Sequence, residues 1–233
     1  MVKTRFISFF VLLPFLSIAA TGQSNGVVVV SSKAPSGYDI QVANKSSVPV
    51  TAFIVRCHIR RPAGNHSNLY RLEDAYYNVK DTPIRTNEFR QFTLGPRAHS
   101  EGTTVDISLL AAVYEDGTGE GDPMWLSRIA SNRERVRNDL PVAIAMLKQA
   151  LLEGTDSVEL TSRFEDFRLR NLAAVQSTGE DKLFERAAAE EIPTQVIENL
   201  KDFPGDQEPK KALELRIGAL INTFSAWYAK IPH

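Results

Sequence analysis

The segment 105–123, VDISLLAAVYEDGTGEGDP, decides the fold, because it holds a strand pattern, a turn pattern and a helix start in succession. Val105 to Tyr114 is rich in Val, Ile and Leu, as strands are. Residues 115–121 are acidic and glycine-rich, which is typical of a turn. Asp122 can accept hydrogen bonds from the free amides of a starting helix, and Pro123 suits its first position. The segment therefore predicts a change from strands to helices near residue 122.

The chain before this segment reads as a series of short strands. Alternating or β-branched apolar runs predict strands at Val27–Val30, Tyr38–Asn44, Val48–Ile59, Tyr76–Val79 and Phe89–Leu94. Residues 60–72, RRPAGNHSNLYRL, are predicted to form a loop, because Pro, Gly and Asn interrupt the pattern. Short strands with turn signals about every ten residues predict a β-sandwich of immunoglobulin-like architecture.

The chain after Asp122 carries apolar residues at helical spacing. One long helix, with Pro141 inside it, is predicted to end at Gly154, and a second is predicted to run from Asp156 to Gly179. A third helix has a predicted apolar stripe of Leu183, Ala187, Ile192, Val196 and Leu200, and residues 203–209 form a linker. The last helix has the cleanest stripe, with Leu213, Ile217, Leu220, Phe224, Trp227, Tyr228 and Ile231. About four helices predict a bundle or stacked helical hairpins, so the fold class is α+β.

The first residues have the pattern of a secretory signal peptide. Lys3 and Arg5 precede an apolar stretch, and small residues follow it. Cleavage after Gly22 fits this pattern, and cleavage after Ala19 is the alternative. An uncleaved anchor is the other interpretation, although the apolar stretch is shorter than a spanning helix needs. The predicted organisation is a signal peptide at 1–22, a β-sandwich domain at 23–121 and an α-helical region at 122–233. The protein is therefore predicted to be exported, with no membrane span after leader removal.

Composition excludes several classes of protein. The 233 residues are 43% hydrophobic and carry a net charge of −1, which argues against a disordered chain and against a nucleic-acid binder. The single cysteine, Cys57, excludes a disulfide framework within the chain. In an oxidising compartment Cys57 is either buried or available for a bridge between chains. Its place in the apolar run 52–59 favours burial.

The acidic turn is a candidate calcium site. Glu115, Asp116, Glu120 and Asp122 place carboxylates on a glycine-rich loop, and calcium prefers oxygen ligands on such loops. Their spacing is not that of an EF-hand. The alternative interpretation is structural, with Asp116-Gly117 turning the chain and Asp122 capping a helix. No cofactor is predicted.

Other residue types give no catalytic site from sequence. His58, His66, His99 and His233 lack the local spacing of zinc ligands, and no serine stands in a nucleophile motif. Cys57 and His58 are adjacent in a predicted strand, so their side chains face opposite sides. The acid pairs Glu73-Asp74 and Glu165-Asp166 have the residue types of a glycoside hydrolase, but such pairs are also common on surfaces.

One motif carries a resemblance. Residues 110–122, LAAVYEDGTGEGD, resemble a pattern of uncharacterised exported bacterial proteins, in which a strand ends in a V-[FY]-x-D-G-x-x-x-G turn and a helix follows. The preceding residues 82–97 are similar to the polar turn and strand before that motif, and the resemblance covers roughly residues 39–135. It implies a β-sandwich followed by helices and an exported location. It implies no activity and no functional residue.

Two functional hypotheses follow. The first is an exported, non-enzymatic binding or structural module of the cell envelope or secreted fraction with a possible protein partner, because structural roles account for the residues considered above. The second is an exported hydrolase whose catalytic residues are dispersed in sequence, which predicts a concave pocket with a His or paired carboxylates of perturbed pKa. The sequence leaves the oligomeric state open.

Overall fold

The computed structural model describes residues 18–19, 26–34, 37–62, 64–77, 81–95, 102–176, 179–201 and 210–232. These residues form an α+β protein, with two antiparallel sheets followed by four helices. Apart from Ile18 and Ala19, the predicted leader lies outside the described residues, and so do the predicted linker at 203–209 and two of the histidines, His99 and His233.

The strands are, in chain order, β1 (Ile18–Ala19), β2 (Val27–Ala34), β3 (Gly37–Asn44), β4 (Val50–Arg60), β5 (His66–Asp74), β6 (Phe89–Leu94), β7 (Thr104–Tyr114) and β8 (Gly119–Gly121). The first sheet has the order β1-β2-β3-β6, and the second has the order β5-β4-β7-β8. Antiparallel pairing joins all neighbours in both sheets. In the second sheet, which faces the helices, β4 is an inner strand paired with both β5 and β7.

Two predictions around β5 differ from the structure, the loop at residues 60–72 and the first half of the strand at Tyr76–Val79. The prediction of a loop at residues 60–72 fails because only the residues near Pro62 and Gly64 turn the chain, whereas His66–Asp74 pairs with β4. In the strand predicted at Tyr76–Val79, Tyr76 and Tyr77 turn the chain after β5, and residues 78 and 79 lie outside the described residues. Tyr76 and Tyr77 pack against the helices and do not belong to a sheet, and this packing explains why apolar residues stand here.

The two sheets face each other across one apolar cluster. Alternate side chains of β4, namely Phe53, Val55, Cys57 and Ile59, point into this cluster together with Ile40 and Val42 of β3. Cys57 is fully buried there, as predicted. The opposite face of β4 carries Ala52 and Ile54, which pack against the first helix. The second sheet is therefore covered by the first sheet on one side and, over part of its length, by helices on the other.

The turn after β7 is a tight hairpin. Gly119–Gly121 pairs with Ala111–Val113, so part of the segment predicted as a flexible loop is strand. Gly121 has a φ of +107°, and a Cβ there would lie 2.3 Å from the carbonyl oxygen of Leu110. Only glycine fits this backbone without displacing β7. The glycine therefore fixes the hairpin and does not add flexibility.

The helices are α1 (Pro123–Glu153), α2 (Ser157–Ala173), α3 (Gly179–Lys201) and α4 (Lys210–Lys230). Asp122 caps α1 by accepting a hydrogen bond from the Met124 amide at 2.8 Å, and Gly154 ends this helix in the left-handed conformation, both as predicted. Asp156 caps α2 in the same way. The predicted end of α2 at Gly179 is wrong, because α2 stops at Ala173 and Gly179 begins α3.

Helix α1 joins the two halves. Its first turns place Trp125 and Ile129 on the outer face of the second sheet. Its later turns place Val136, Leu140 and Leu147 in a separate cluster with α2, α3 and α4. The predicted stripe of α4 is confirmed, because Leu213, Ile217, Leu220, Phe224 and Trp227 are all buried. Within the described residues, no helix has the length and apolarity needed to cross a membrane.

Candidate functional site

A cleft of about 600 Å³ lies between strand β5 and helix α3. One wall is formed by seven consecutive residues of β5, 68–74, and the other by Leu183, Phe184, Ala187 and Glu191 of α3. Asn132 of α1, together with Tyr77 and Asp81, completes the lining. A concave volume of this size is within the range of ligand sites in proteins. We refer to it as the β5–α3 cleft.

The strand wall lies at the edge of a sheet. Strand β5 is the end member of the order β5-β4-β7-β8, and β4 is its neighbour. Tyr70 and Leu72 face the helices and pack with Ala52, Ile54 and Trp125. On the other face of the strand, the Arg71 Nε donates to Glu73 Oε1 at 2.7 Å. The wall therefore combines a backbone edge with apolar and charged side chains.

The helix wall combines a fixed aromatic ring with an exposed leucine. Phe184 contacts Tyr70 and Trp125, with ring centroids 5.5 Å and 5.2 Å apart. Leu183 is 66% exposed, although the sequence predicts it in the buried stripe of α3. Ala188 and Ala189 take the buried positions instead. The prediction is wrong at Leu183 and also at the exposed Ala187, because this turn of α3 faces the cleft and not the core.

The cleft is acidic. Glu73, Asp74, Asp81 and Glu191 line it, and Arg71 is the basic residue of the lining. Burial raises the pKa of Glu191, and the charge of Asp81 adds to this shift, whereas a hydrogen bond from Gln195 opposes it. Burial also raises the pKa of Asp81, helped by Glu73 and opposed by Lys230 and Arg90. Electrostatic repulsion thus couples carboxylates from β5, the segment after it and α3.

Asp74 has a structural role in the cleft wall. Its side chain is 1% exposed and forms an ion pair with Arg133 of α1, with Nε to Oδ2 at 2.7 Å and Nη2 to Oδ1 at 3.1 Å. Asp74 also accepts a hydrogen bond from the Tyr76 amide at 2.9 Å. Burial raises its pKa, and Arg133 opposes that shift. With its oxygens occupied, Asp74 supports the wall, and Glu73 is paired with Arg71, so Asp81 and Glu191 supply the charge available to a ligand.

The acid pairs named from sequence have different positions. Glu73 and Asp74 both line the cleft, although Asp74 is taken up by Arg133. Glu165 on α2 pairs with Arg168 at 2.7 Å and lies on the helix surface. Asp166 is exposed on the same helix. The carboxylates that join Glu73 in the cleft, Asp81 and Glu191, come from distant parts of the sequence and have no local motif.

The four calcium candidates sit around the β7–β8 hairpin and have separate hydrogen bonds. Asp116 accepts from the backbone amide of Thr118 at 3.0 Å and from its hydroxyl at 2.6 Å. The Tyr114 hydroxyl donates to Glu120, Asp122 caps α1, and Glu115 is exposed. In the part of the chain that the structure describes, no three His, Cys, Asp or Glu side chains gather as metal ligands would. The calcium site remains a prediction.

Two of the histidines are neighbours. The rings of His58 on β4 and His66 on β5 lie 5.9 Å apart between centroids. The His58 Nδ1 is 2.7 Å from Asn68 Oδ1, so an amide holds this ring. Cys57 faces the opposite side of β4, and burial raises its thiol pKa to about 11, as does the charge of Asp106. The adjacent Cys57 and His58 therefore form no nucleophile–base pair.

The comparisons with known proteins give no assignment. No protein-family model matches the chain, and neither the curated proteins nor the solved structures contain a significant match. The function is therefore argued from the geometry of the β5–α3 cleft.

Proposed function

We propose that the protein is an exported, non-enzymatic binding module of the cell envelope or secreted fraction, and that the β5–α3 cleft holds its protein partner. The supporting observation is the cleft of about 600 Å³, whose helix wall carries the 66% exposed Leu183 beside Phe184 and Ala187. A concave site lined by apolar and aromatic side chains with a few polar groups is typical of binding sites. Here the polar groups include Glu73, Asp81 and Glu191.

The finer architecture belongs to this proposal. We propose that the two facing sheets are an immunoglobulin-like sandwich at 23–121, and that the helices of 122–233 form a bundle packed on it. The shared apolar cluster between the sheets and the separate cluster among the four helices support this description. The sandwich then acts as a scaffold, and α3 presents the second wall of the site.

Export rests on the leader pattern of residues 1–22. It is tested by producing the full chain in a bacterial host and measuring the intact mass of the protein recovered from the periplasm or medium. Removal of the residues up to Gly22 or up to Ala19 is expected. A full-length chain that stays in the cytoplasm would contradict export.

Partner binding is tested with a pair of matched variants. Ala187→Trp places a large ring in the cleft, whereas Ala219→Trp makes the same change at an exposed position of α4. Cross-linking in the envelope fraction is expected to recover a defined partner with the wild type and the Ala219 variant, and to lose it with the Ala187 variant. Recovery of no partner, together with a protein that turns over a substrate, would overturn the proposal.

An exported hydrolase is the second candidate. The observation that favours it is the pair of carboxyls with raised pKa in the cleft, Asp81 and Glu191, because a general acid needs a pKa near the working pH. Glycan and ester substrates should then be cleaved by the wild type and not by Glu191→Gln. Equal rates for the wild type and this variant would remove the candidate.

A further inference from the structure

We infer that the occupant of the β5–α3 cleft is an extended peptide segment that adds as a strand to β5 and places a Lys or Arg side chain against Glu191 and Asp81. This inference rests on the proposed function, because it takes the cleft as the binding site. It does not depend on export.

The first support is the strand edge. Strand β5 ends the described order of the second sheet, and seven consecutive residues, 68–74, form one wall of the cleft. An edge strand presents backbone N–H and C=O groups away from its neighbour, and another chain can pair with them. Addition of a strand to such an edge is a common way to bind an extended peptide.

The second support is the geometry of the helix wall. Leu183, Ala187 and Glu191 recur every four residues, so they lie on one face of α3. Eight residues of helix extend about 12 Å, which is the length of about four residues of a strand. An extended peptide that lay along β5 would therefore pass this helix face over about four of its residues.

The third support is charge. Asp81 and Glu191 both line the cleft, and the negative charge of Asp81 disfavours the charged form of Glu191, which accepts a hydrogen bond from the neutral Gln195. Arg71 pairs with Glu73, and Arg133 pairs with Asp74. Lys230 and Arg90 lie near Asp81 and offset part of its charge. The surplus charge is therefore negative at Glu191, which lines the same cleft as the rings of Phe184 and Tyr70. A basic side chain would relieve the repulsion, and its stem or guanidinium would contact the rings.

The inference is tested with fluorescently labelled peptides of about seven residues, which is the length of the strand wall. One peptide alternates Val and Lys, and the other alternates Val and Glu. Anisotropy is measured with the full chain. The Lys peptide is expected to bind and the Glu peptide to bind at least about tenfold more weakly, because hydrogen bonds between charged groups are stronger than neutral ones and like charges repel. Equal binding of the two peptides would overturn the inference.

Backbone pairing is tested separately. The Lys peptide is N-methylated at alternate positions in two registers. One register should lose binding and the other should retain it, because only every second amide of an added strand donates to the edge. Equal tolerance of both registers would overturn strand addition.

Site variants locate the binding. Glu191→Gln should weaken the Lys peptide about tenfold, whereas Glu214→Gln, an exposed change on α4, should leave it unchanged. If Ala187→Trp abolishes partner capture but the Lys peptide binds neither the wild type nor the variants, the proposed function stands and the peptide inference fails. If the wild type dimerises through the cleft and Ala187→Trp is monomeric, the occupant is a second copy of the chain, and the inference also fails.

Discussion

Arg133 of α1 reaches across to the end of β5 and forms a two-bonded ion pair with the buried Asp74. The same guanidinium donates to the Thr51 hydroxyl at 3.0 Å and lies over the Tyr76 ring, 4.6 Å from its centroid. One arginine of the helical half therefore forms hydrogen bonds with a carboxylate and a hydroxyl of the strand half and packs over an aromatic ring. We expect the orientation of the two halves to depend on it.

Replacing Arg133 with Met should destabilise the protein by about 3–5 kcal/mol, because it leaves Asp74 buried without its partner. The measurement is the free energy of unfolding by urea. Arg163→Met is the control, since Arg163 pairs with the surface residues Glu153 and Glu159, and little change is expected there. The double variant Asp74→Asn with Arg133→Met should lose less than the sum of the single changes. Full additivity would contradict the coupling.

Trp227 ties α4 to the turn after β5. Its Nε1 donates to the backbone oxygen of Tyr76, and its side chain is buried in the helical cluster. Trp227→Phe should cost about 1–3 kcal/mol, because the Tyr76 carbonyl is left buried and unpaired. Trp227→Ala should cost about 3–5 kcal/mol through the cavity that it opens. Both are measured by chemical denaturation, and a Phe variant as stable as wild type would contradict the role of the hydrogen bond.

Glu191→Gln should stabilise the protein at neutral pH. Burial raises the pKa of Glu191 in the folded state, so the charged form of this side chain opposes folding. The protonated form carries no such cost. The stability is therefore highest when Glu191 is protonated, and it is lost as pH rises through the raised pKa. The advantage of the variant should therefore shrink as pH falls through the raised pKa of the folded state, and this electrostatic difference should be gone once pH is below the ordinary glutamate pKa of about 4.3. Urea titrations across this pH range give the measurement.

Glu153→Gln is the matched comparison for this pH dependence. Hydrogen bonds from Gln149 and Arg163 lower the pKa of Glu153, so its charged form favours folding. Its contribution is present at neutral pH and is lost in acid, and the variant should be less stable than wild type at neutral pH. The same sign of effect at Glu191 and Glu153 would contradict the assignment.

Cys57 should be unreactive in the folded protein. Its side chain is fully buried and its thiol pKa is raised to about 11, so roughly one thiol in a thousand is ionised at pH 8. A chromogenic thiol reagent should react slowly in native buffer and rapidly in urea. Fast native labelling, or a disulfide-linked dimer on a non-reducing gel, would contradict burial and support a bridge between chains.

Millimolar calcium should leave the melting temperature unchanged. Glu120 accepts from Tyr114, Asp116 from Thr118, and Asp122 from the start of α1, so binding calcium would require these bonds to be exchanged. Thermal melts with calcium and with a chelator give the measurement, since a ligand of the folded state raises the midpoint. A clear upward shift, lost in Glu120→Gln, would instead establish the predicted site.

The sequence predicts the elements whose stabilising contacts are local. The cap at Asp122, the end at Gly154 and the stripe of α4 are confirmed because capping and helical spacing are set within a few residues. Strand β5 is missed because an edge strand with polar residues on both faces has no clear alternation. Leu183 is misassigned because it lines the cleft and not the core. Helical spacing predicts which residues share a face but not whether that face is buried in a core or lines a cleft.

The sequence does not predict the β5–α3 cleft. Glu73, Asp81 and Glu191 share no motif, and they meet only because α1 places α3 beside the edge of the second sheet. The acid pair Glu73-Asp74 was noted, but nothing in its neighbours indicates that Asp74 pairs with Arg133. Tertiary contacts between distant residues therefore decide which of these carboxylates are paired and which face the cleft.

The bond between Trp227 and Tyr76 also constrains the order of assembly. Its partners are 151 residues apart, which makes it a very late contact for a chain that emerges from its N-terminus. Until α4 has been synthesised, Leu140 and Leu147 of α1 lack part of their cover, and this surface can aggregate. Truncation before α4 should therefore yield insoluble protein even though every strand is present.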